Sequence, residues 1–409
     1  MTFDPAAATR ALIDALGPEA LAKAAAYTVG NHWLLLWGIV VSAAVTLIVV
    51  RWGLLDRLYA RLAQRGERLR IFLTCAGFFL LSALLTLPWG TYEEWGRERS
   101  YGRTSQPLGD FLVQDAMGIA ISTLLGGLFF FGVYALMRRT GARWWLWSGG
   151  LAALAALAAV LLSPILIEPL FNDYKPVPAG PVRTAVVAMA ADAQIPADRI
   201  FIYDGSRQSN NFTANVSGIG SSARIAISDV ALTTASLDEV RAVTGHEIGH
   251  YVQGHIWRWA AVLPLLAMAF FFLADRLYAP AARLFGSSAA LDDPRGLPVL
   301  MFIVSLLAVL ATPVTNALTR IGEREADAYS LQTVNLPDAL ASALVKTAEY
   351  RSPRPHPAQE LLFYTHPSVE RRVRAAMEWK AVNRPAPVTA STPASTSTPT
   401  PALSAQADK

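Results

Sequence analysis

Long uncharged apolar stretches alternate with charged segments over most of the chain. They lie at 31–50, 71–89, 116–137, 144–167, 259–274 and 296–319. A helix needs about 20 apolar residues to cross the hydrocarbon core of a bilayer, within a range of about 17–25. Five of the six runs have that length, and Trp257 and Arg258 extend the shorter one because their side chains can reach the interface. The pattern predicts a mainly α, polytopic membrane protein with six transmembrane helices.

The two ends of the chain lack such runs. Residues 1–30 carry charges at intervals, so we expect an amphipathic interfacial helix there rather than a seventh span. Residues 383–409 are rich in Pro, Ser, Thr and Ala and should be disordered, because this composition cannot bury a core. Between these ends we expect a membrane domain with four spans over 31–167 and a second domain over 168–382 that includes the last two spans.

Composition agrees with a membrane protein and excludes several other classes. The 409 residues are 53% hydrophobic and 16% charged, whereas soluble domains carry about 25% charged residues. The net charge of +4 is small, and the basic residues lie in loops beside the spans, so a lipid bilayer is an expected partner and nucleic acid is not. The single cysteine, Cys75, rules out an internal disulfide and a cysteine-based metal site.

The basic residues also predict an orientation. The loops 51–70, 138–143 and 275–295 together hold twelve Lys and Arg, whereas 1–30 and 90–115 hold five. Because cytoplasmic loops carry the excess of Lys and Arg, the first group should be cytoplasmic. The chain is then a multi-pass protein of the plasma (inner) membrane, with residues 168–258 and all residues after 320 outside.

The segments outside the spans predict a small α+β domain. A helix-like piece at 181–194 precedes strand-like pieces at 199–203, 212–216 and 223–228, which Gly and Ser clusters separate. Ser236, with Glu239 three residues later, forms a capping box that predicts a helix beginning at Leu237.

That helix carries the most specific motif of the chain, His246-Glu247-Ile248-Gly249-His250. Two histidines at i and i+4 share one face of a helix, about 6 Å apart, where one metal ion can bind both. The glutamate beside the first histidine can then reach a metal-bound water. We therefore expect His246 and His250 to bind zinc and Glu247 to be the general base.

Catalytic zinc takes three protein ligands and keeps an open position. Downstream, Glu323 and Asp327 are four residues apart, and two spans separate them from His250. Since an even number of crossings returns the chain to the same side, Glu323 can be the third ligand, and Asp327 can hydrogen-bond a ligating histidine. Taken alone, these residues also fit a solvated charged face, and Glu325 competes with Glu323 for the ligand role.

Two further histidines are weaker candidates. His366 precedes a basic helix that contains Arg372; it can donate to a developing oxyanion, but it fits equally well as a surface residue at a helix start. His255 follows the metal-binding helix, and we expect an interfacial or C-terminal residue there rather than a ligand.

These motifs resemble the integral-membrane zinc endopeptidases typified by the CAAX prenyl protease, with the heat-shock membrane proteases as shorter relatives. The resemblance covers about 71–378, and its matching segments are 87–115, 167–171, 204–206, 224–229, 246–250, 316–327 and 365–372. It implies a zincin-like catalytic domain with one zinc ion per subunit. It also implies a peptide or protein substrate held against the strand at 212–217.

The resemblance assigns the site residues as well. It makes His246, His250 and Glu323 the zinc ligands, Glu247 the general base and Asp327 the partner of a ligand. His366 and Arg372 become contacts to the substrate or transition state. The chain departs from the family pattern at Thr213-Ala214, where Asn-Ala is usual, and the family's catalytic domain faces the cytosol, against the orientation that loop charge predicts.

The function expected from these residues is hydrolysis of peptide bonds in membrane-associated or hydrophobic peptides. A membrane-protein quality-control protease is an alternative within the same class. A transporter with a helical metal site is disfavoured because the six runs carry no charge. A catalytically silent scaffold is disfavoured because every expected ligand and the base are present.

Overall fold

The fold is known from a computed structural model, which describes residues 3–383; the tail predicted to be disordered lies outside the described residues except for residue 383. The helices are α1 (Pro5–Asp14), α2 (Gly17–Arg51), α3 (Leu54–Arg61), α4 (Glu67–Gly90), α5 (Arg97–Ser100), α6 (Leu108–Thr140), α7 (Trp144–Leu162), α8 (Glu168–Phe171), α9 (Pro181–Asp192), α10 (Asp229–Thr234), α11 (Leu237–Val252), α12 (His255–Phe285), α13 (Leu297–Thr333), α14 (Pro337–Lys346), α15 (Pro357–Phe363) and α16 (Val369–Val382). The strands are β1 (Tyr174–Pro176), β2 (Ile200–Tyr203), β3 (Ala214–Ser217) and β4 (Arg224–Ser228).

The part of the chain that the structure describes has five continuous helical segments long and apolar enough to cross a membrane, one fewer than the predicted six. The difference arises because a single 3-10 turn, Gly141–Arg143, joins α6 to α7, so two apolar runs lie in one segment, Leu108–Phe171. The chain nevertheless reverses at this turn, since Gly132 of α6 packs against Leu151 of α7. The mainly α, polytopic architecture is confirmed.

The three basic loops lie at one end of this helical bundle. Arg295 forms an ion pair with Asp56 at 3.1 Å, and the guanidinium of Arg51 lies against Gly286. At the same end, Arg138 pairs with Glu67. The turns between α2 and α4, between α6 and α7, and between α12 and α13 therefore share one side, and the segments that carry His246, Glu323 and His366 lie at the other end.

The N-terminal segment does not form the separate interfacial unit expected over 1–30. Helix α2 runs unbroken from Gly17 to Arg51, because its first turns contain good helix formers and no breaker interrupts them. Only α1 stands apart; it packs against α16, and its Asp14 pairs with Arg354, in the segment before α15, at 2.7 Å. Helix α2 thus continues through the boundary predicted at residue 30.

A four-stranded sheet in the order β1-β2-β4-β3 lies between α8 and α10 in the chain. Strands β2 and β4 are parallel, and the two outer strands pair antiparallel to them. The three predicted strands are confirmed, whereas β1 was missed because it is only three residues long and ends in Pro176. The buried side chains between the sheet and its helices are Val186, Ile200, Ile225, Ile227, Val240 and Ile248. Strand β3 is left at the sheet edge, beside α11.

Candidate active site

Helix α11 begins where the sequence predicts it. The Ser236 hydroxyl accepts from the Glu239 backbone N–H at 3.2 Å, and the Glu239 carboxylate accepts from the Ser236 N–H at 2.7 Å. The carboxylate also accepts from Ser342 and from Lys346 of α14, each at 2.8 Å. The capping box therefore fixes the start of α11 and joins it to α14.

Gly249 allows α11 to cross α13 closely. A Cβ at this position would lie 3.0 Å from Ala326 Cα and 3.1 Å from Ala326 O. Ser330 closes the same interface by donating to the Ala242 carbonyl at 2.7 Å. The close crossing brings the acidic turns of α13, the continuation of a membrane helix, against the histidine face of α11.

Three side chains meet at this crossing with the spacing of a metal site. His246 Nε2 lies 3.1 Å from His250 Nε2 and 3.3 Å from Glu323 Oε2, and His250 Nε2 lies 3.4 Å from Glu323 Oε1. Ligand bonds of 2.0–2.1 Å at tetrahedral angles would separate the donor atoms by about 3.3 Å. These three residues form the one such His/Cys/Asp/Glu group found among the described residues.

The charge distribution of the cluster also fits a cation. Glu323 Oε2 is buried without a hydrogen-bond partner in the described part of the chain; His246 Nε2 lies 3.3 Å and Arg372 Nη2 3.5 Å from it, so nearby positive charge stabilises this oxygen. Burial opposes protonation of His246, but hydrogen bonds to Asp327 and Glu323 outweigh it and raise the pKa of His246 to about 9. The residues thus favour positive charge where a metal would bind.

Asp327 holds the far side of the His246 ring. Its Oδ1 lies 2.9 Å from His246 Nδ1, and Arg372 donates to both of its carboxylate oxygens at 2.7 Å. In the tautomer that can bind a metal, His246 donates its Nδ1–H to Asp327, and its Nε2 lone pair is then on the side of Glu323. The predicted pairing of Asp327 with a histidine is seen here. Arg372 contacts Asp327 and also lines the site cavity.

His250 has a different partner, which sequence reasoning missed. Its Nδ1 lies 2.7 Å from His255 Nδ1, and His255 Nε2 lies 2.8 Å from Glu325 Oε2. Arg258 donates to the same oxygen at 2.8 Å. Glu325 therefore faces His255 rather than the cluster, whereas Glu323 faces His246 and His250. The expectation that His255 is not a ligand agrees with this geometry, but the side chain is buried rather than interfacial.

Glu247 is available for proton transfer. It lines the same cavity as His246 and Glu323, and its carboxylate has no hydrogen-bond partner among residues 3–383. Burial raises the pKa of Glu247, while the neighbouring His246 and His250 partly oppose the shift. A carboxylate with a raised pKa, beside a metal site, suits a general base.

His366 enters the cavity from the segment after α15. Its Nε2 lies 3.2 Å from Glu323 Oε1, and its Nδ1 lies 2.8 Å from Thr365 Oγ1. Burial, assisted by Arg351 and Arg372, lowers the pKa of His366 to about 3, so its ring is neutral at physiological pH. Arg320 of α13 fixes this segment by donating to the carbonyls of Glu360 and Tyr364.

The cavity at this site has a volume of about 510 Å³. One wall is the segment that leads into edge strand β3, including Thr213 and Ala214. Apolar side chains of the lining include Phe212, Val243, Leu340, Ala343 and Leu344, and polar or charged side chains such as Asn211, Lys346 and Arg351 line the rest. A cavity beside a free strand edge can hold an extended peptide.

Two family models match the chain. One described as Peptidase family M48 matches residues 176–380, and one described as CAAX prenyl protease N-terminal, five membrane helices, matches residues 5–173. Together they cover both the membrane helices and the cluster on α11 and α13.

Individual proteins give the same picture. The chain is 29% identical over 316 residues to the uncharacterized metalloprotease YhfN of Bacillus subtilis (strain 168), covering 75% of this chain and 74% of YhfN. It is 27% identical over 322 residues to a CAAX prenyl protease 1 homolog of Oryza sativa subsp. japonica, covering 77% and 75%. The crystal structure of S. mikatae Ste24p is similar in fold, with a TM-score of 0.74 at 21% identity, over 89% of this chain and 91% of Ste24p.

Proposed function

Since the chain belongs to peptidase family M48 and is a membrane metalloprotease, we propose that it is an endopeptidase with one zinc ion bound by His246, His250 and Glu323. The observation that carries this proposal is the meeting of these three side chains at ligand spacing, with Glu247 in the same cavity. Zinc is the metal typical of the family, and the donor set of two imidazoles and one carboxylate is that of known catalytic zinc sites.

Zinc in this position would lower the pKa of a coordinated water to about 7 and polarise the scissile carbonyl. Glu247 accepts the proton of the attacking water on its carboxylate and delivers it to the leaving amine nitrogen. The raised pKa of Glu247 assists the first of these transfers, because a carboxylate with a raised pKa accepts and holds a proton more readily.

The remaining site residues support this chemistry in different ways. We propose that His366, which is neutral, donates its Nε2 proton to the negative charge that develops on the carbonyl oxygen. Arg372 is held in a fork with Asp327, so we assign it to the positioning of Asp327, and through it of His246, rather than to direct contact with the substrate. This differs from the role that the family resemblance implies for Arg372.

The substrate class follows from the walls of the cavity. A free edge at β3 offers backbone hydrogen bonds to an extended peptide with little demand on its sequence, and the side chains of Phe212, Leu340 and Leu344 give the cavity an apolar part. Several relatives are named CAAX prenyl protease 1, a name that supports substrates bound to a membrane. We propose peptides or proteins that are hydrophobic or membrane-associated.

We further propose that the chain lies in the plasma (inner) membrane with its catalytic end outside. The support is the excess of Lys and Arg in the loops at the opposite end of the bundle.

The proposal is tested by measuring zinc content of the purified full chain beside cleavage of a peptide library. Wild type should contain about one zinc per chain and cleave internal bonds. Glu247→Gln should retain zinc and fold but lose activity, because its carboxamide cannot accept the proton. Absence of zinc from a folded wild-type protein, or Glu247→Gln activity within about tenfold of wild type, would refute the assignment.

A further inference from the structure

Each histidine of the proposed metal site has a partner on the ring nitrogen that faces away from the site. For His246 the partner is Asp327. For His250 the partner is not a carboxylate but a third histidine, His255, at 2.7 Å. A carboxylate stands one step further away, at Glu325.

The hydrogen bonds of this chain can point in only one direction if His250 binds a metal. Its Nε2 faces His246 and Glu323 and must present a lone pair, so the proton of the neutral ring lies on Nδ1. That proton is donated to His255 Nδ1, which must accept it. The His255 proton therefore lies on Nε2 and is donated to Glu325 Oε2, which is acceptor-only when ionised.

Local structure fixes His255 in this place. Gly254 adopts φ +67° between α11 and α12, a left-handed conformation that glycine adopts at little cost. The sharp bend turns the first residue of α12 back toward His250 although the two are only five positions apart. The His255 side chain is 8% exposed. Arg258, one turn further along α12, binds Glu325 from the solvent side.

We propose that His255, Glu325 and Arg258 form a positioning relay that sets the ring orientation and tautomer of His250 for metal binding. The inference rests on the proposed zinc site. The two proposed zinc ligands are then oriented differently. His246 contacts the carboxylate of the Asp327–Arg372 pair directly, whereas His250 reaches the carboxylate of the Glu325–Arg258 pair through His255. The second arrangement connects a ligand to α12 and α13, the two helices that enter the membrane.

The test is the zinc dissociation constant of the full chain in detergent, measured by competition with a chelator. Partners that orient a ligand change metal affinity by about 10–100-fold when they are removed, and we expect a loss in this range for His255→Phe and for Glu325→Ala. Glu325→Gln, which keeps an acceptor for the His255 Nε2–H, should lose less than Glu325→Ala. Arg324→Gln is the matched control, since Arg324 is exposed on the same turn of α13 and should leave the affinity unchanged.

A double-mutant cycle separates a relay from two independent structural effects. If Glu325 acts through His255, Glu325→Ala should have little further effect on zinc affinity in the His255→Phe background. The melting temperature of each metal-free variant reports folding, and Arg258→Gln, on a partly exposed residue, serves if His255→Phe does not fold.

Two results would overturn the relay. One is zinc affinity equal to wild type in every folded relay variant, and the other is strict additivity in the cycle. Either result leaves the zinc site in place as long as wild type binds zinc and His250→Ala does not. If wild type itself binds no zinc, the proposed function fails instead.

Discussion

The Asp327 carboxylate lies 2.9 Å from Nδ1 of His246, on the opposite side of the ring from the atom that faces Glu323. Arg372 donates a hydrogen bond of 2.7 Å to each oxygen of the same carboxylate. All three side chains are buried, so their charges interact in a medium of low dielectric constant. The pair therefore determines both where the His246 ring points and which of its nitrogens is free.

The first prediction concerns this pair. Asp327→Asn removes the negative charge and replaces one of the two acceptor oxygens with an NH2 group. Arg372 can then no longer form its bidentate pair, and the proton of His246 is no longer held on Nδ1. We expect zinc affinity to fall about 10–100-fold, measured by chelator competition. Arg372→Lys should weaken zinc binding less, because a lysine still supplies charge but cannot form the bidentate pair. Unchanged affinity in Asp327→Asn would mean that Glu323 and the histidines orient themselves.

His366→Ala should retain zinc and lose catalytic rate. Removal of one donor to a developing oxyanion costs about 10²–10³ in kcat, and KM should change little because the contact strengthens in the transition state. Steady-state kinetics on a cleaved library peptide give both constants. His356→Ala is the control, since this histidine is exposed and does not line the cavity. A loss that falls mainly on KM would make His366 a substrate-binding residue.

Glu323→Ala and Glu325→Ala should differ sharply although only Arg324 separates the two residues on α13. Loss of Glu323 leaves two ligands, and we expect zinc affinity to fall by more than about 100-fold, beyond the range for residues behind a ligand. Glu325→Ala should still bind one zinc per chain at saturating metal, with the smaller affinity loss described above. Zinc content after gel filtration distinguishes them, and the reverse pattern would show that the ligand is Glu325.

A methyl group at the crossing of α11 and α13 should disturb the site without touching a ligand. In Gly249→Ala the new Cβ meets the backbone of Ala326 at 3.0 Å, so the helices must separate, at a cost of about 1–3 kcal/mol for overpacking. We expect a lower melting temperature and weaker zinc binding. Gly118→Ala, where nothing lies within 4 Å of the new Cβ, should change neither. If Gly249→Ala keeps the wild-type melting temperature and zinc affinity, α11 and α13 can accommodate the methyl group without disturbing the site.

Orientation in the membrane can be decided by reporter fusions after residues 60, 140 and 385. The twelve Lys and Arg of the loops at one end, against five in the short connections of the other, predict cytoplasmic signal from the first two fusions and exported signal from the third. The reverse pattern would give the cytosolic orientation implied by the family resemblance. It would leave the zinc site unchanged, because the cluster requires only that α11, α13 and His366 share a side.

Some features of this protein followed from short-range sequence patterns. Apolar runs of membrane length predicted the helices, alternation and glycines predicted three of the strands, and Ser236 with Glu239 predicted the first residue of α11. The i, i+4 spacing placed His246 and His250 on one face before any fold was known. Each of these depends on the geometry of one element, which the local sequence encodes through its period and its caps.

Other features were decided only by the tertiary structure. Whether Glu323 or Glu325 faces His246 and His250 depends on how α13 is rotated against α11. That rotation follows from the close approach of the two helices at Gly249. The contact of His255 with Glu325 spans 70 positions, and that of Arg372 with Asp327 spans 45. No local period relates such residues, because their distance is set by the packing of whole helices rather than by the conformation of the chain between them.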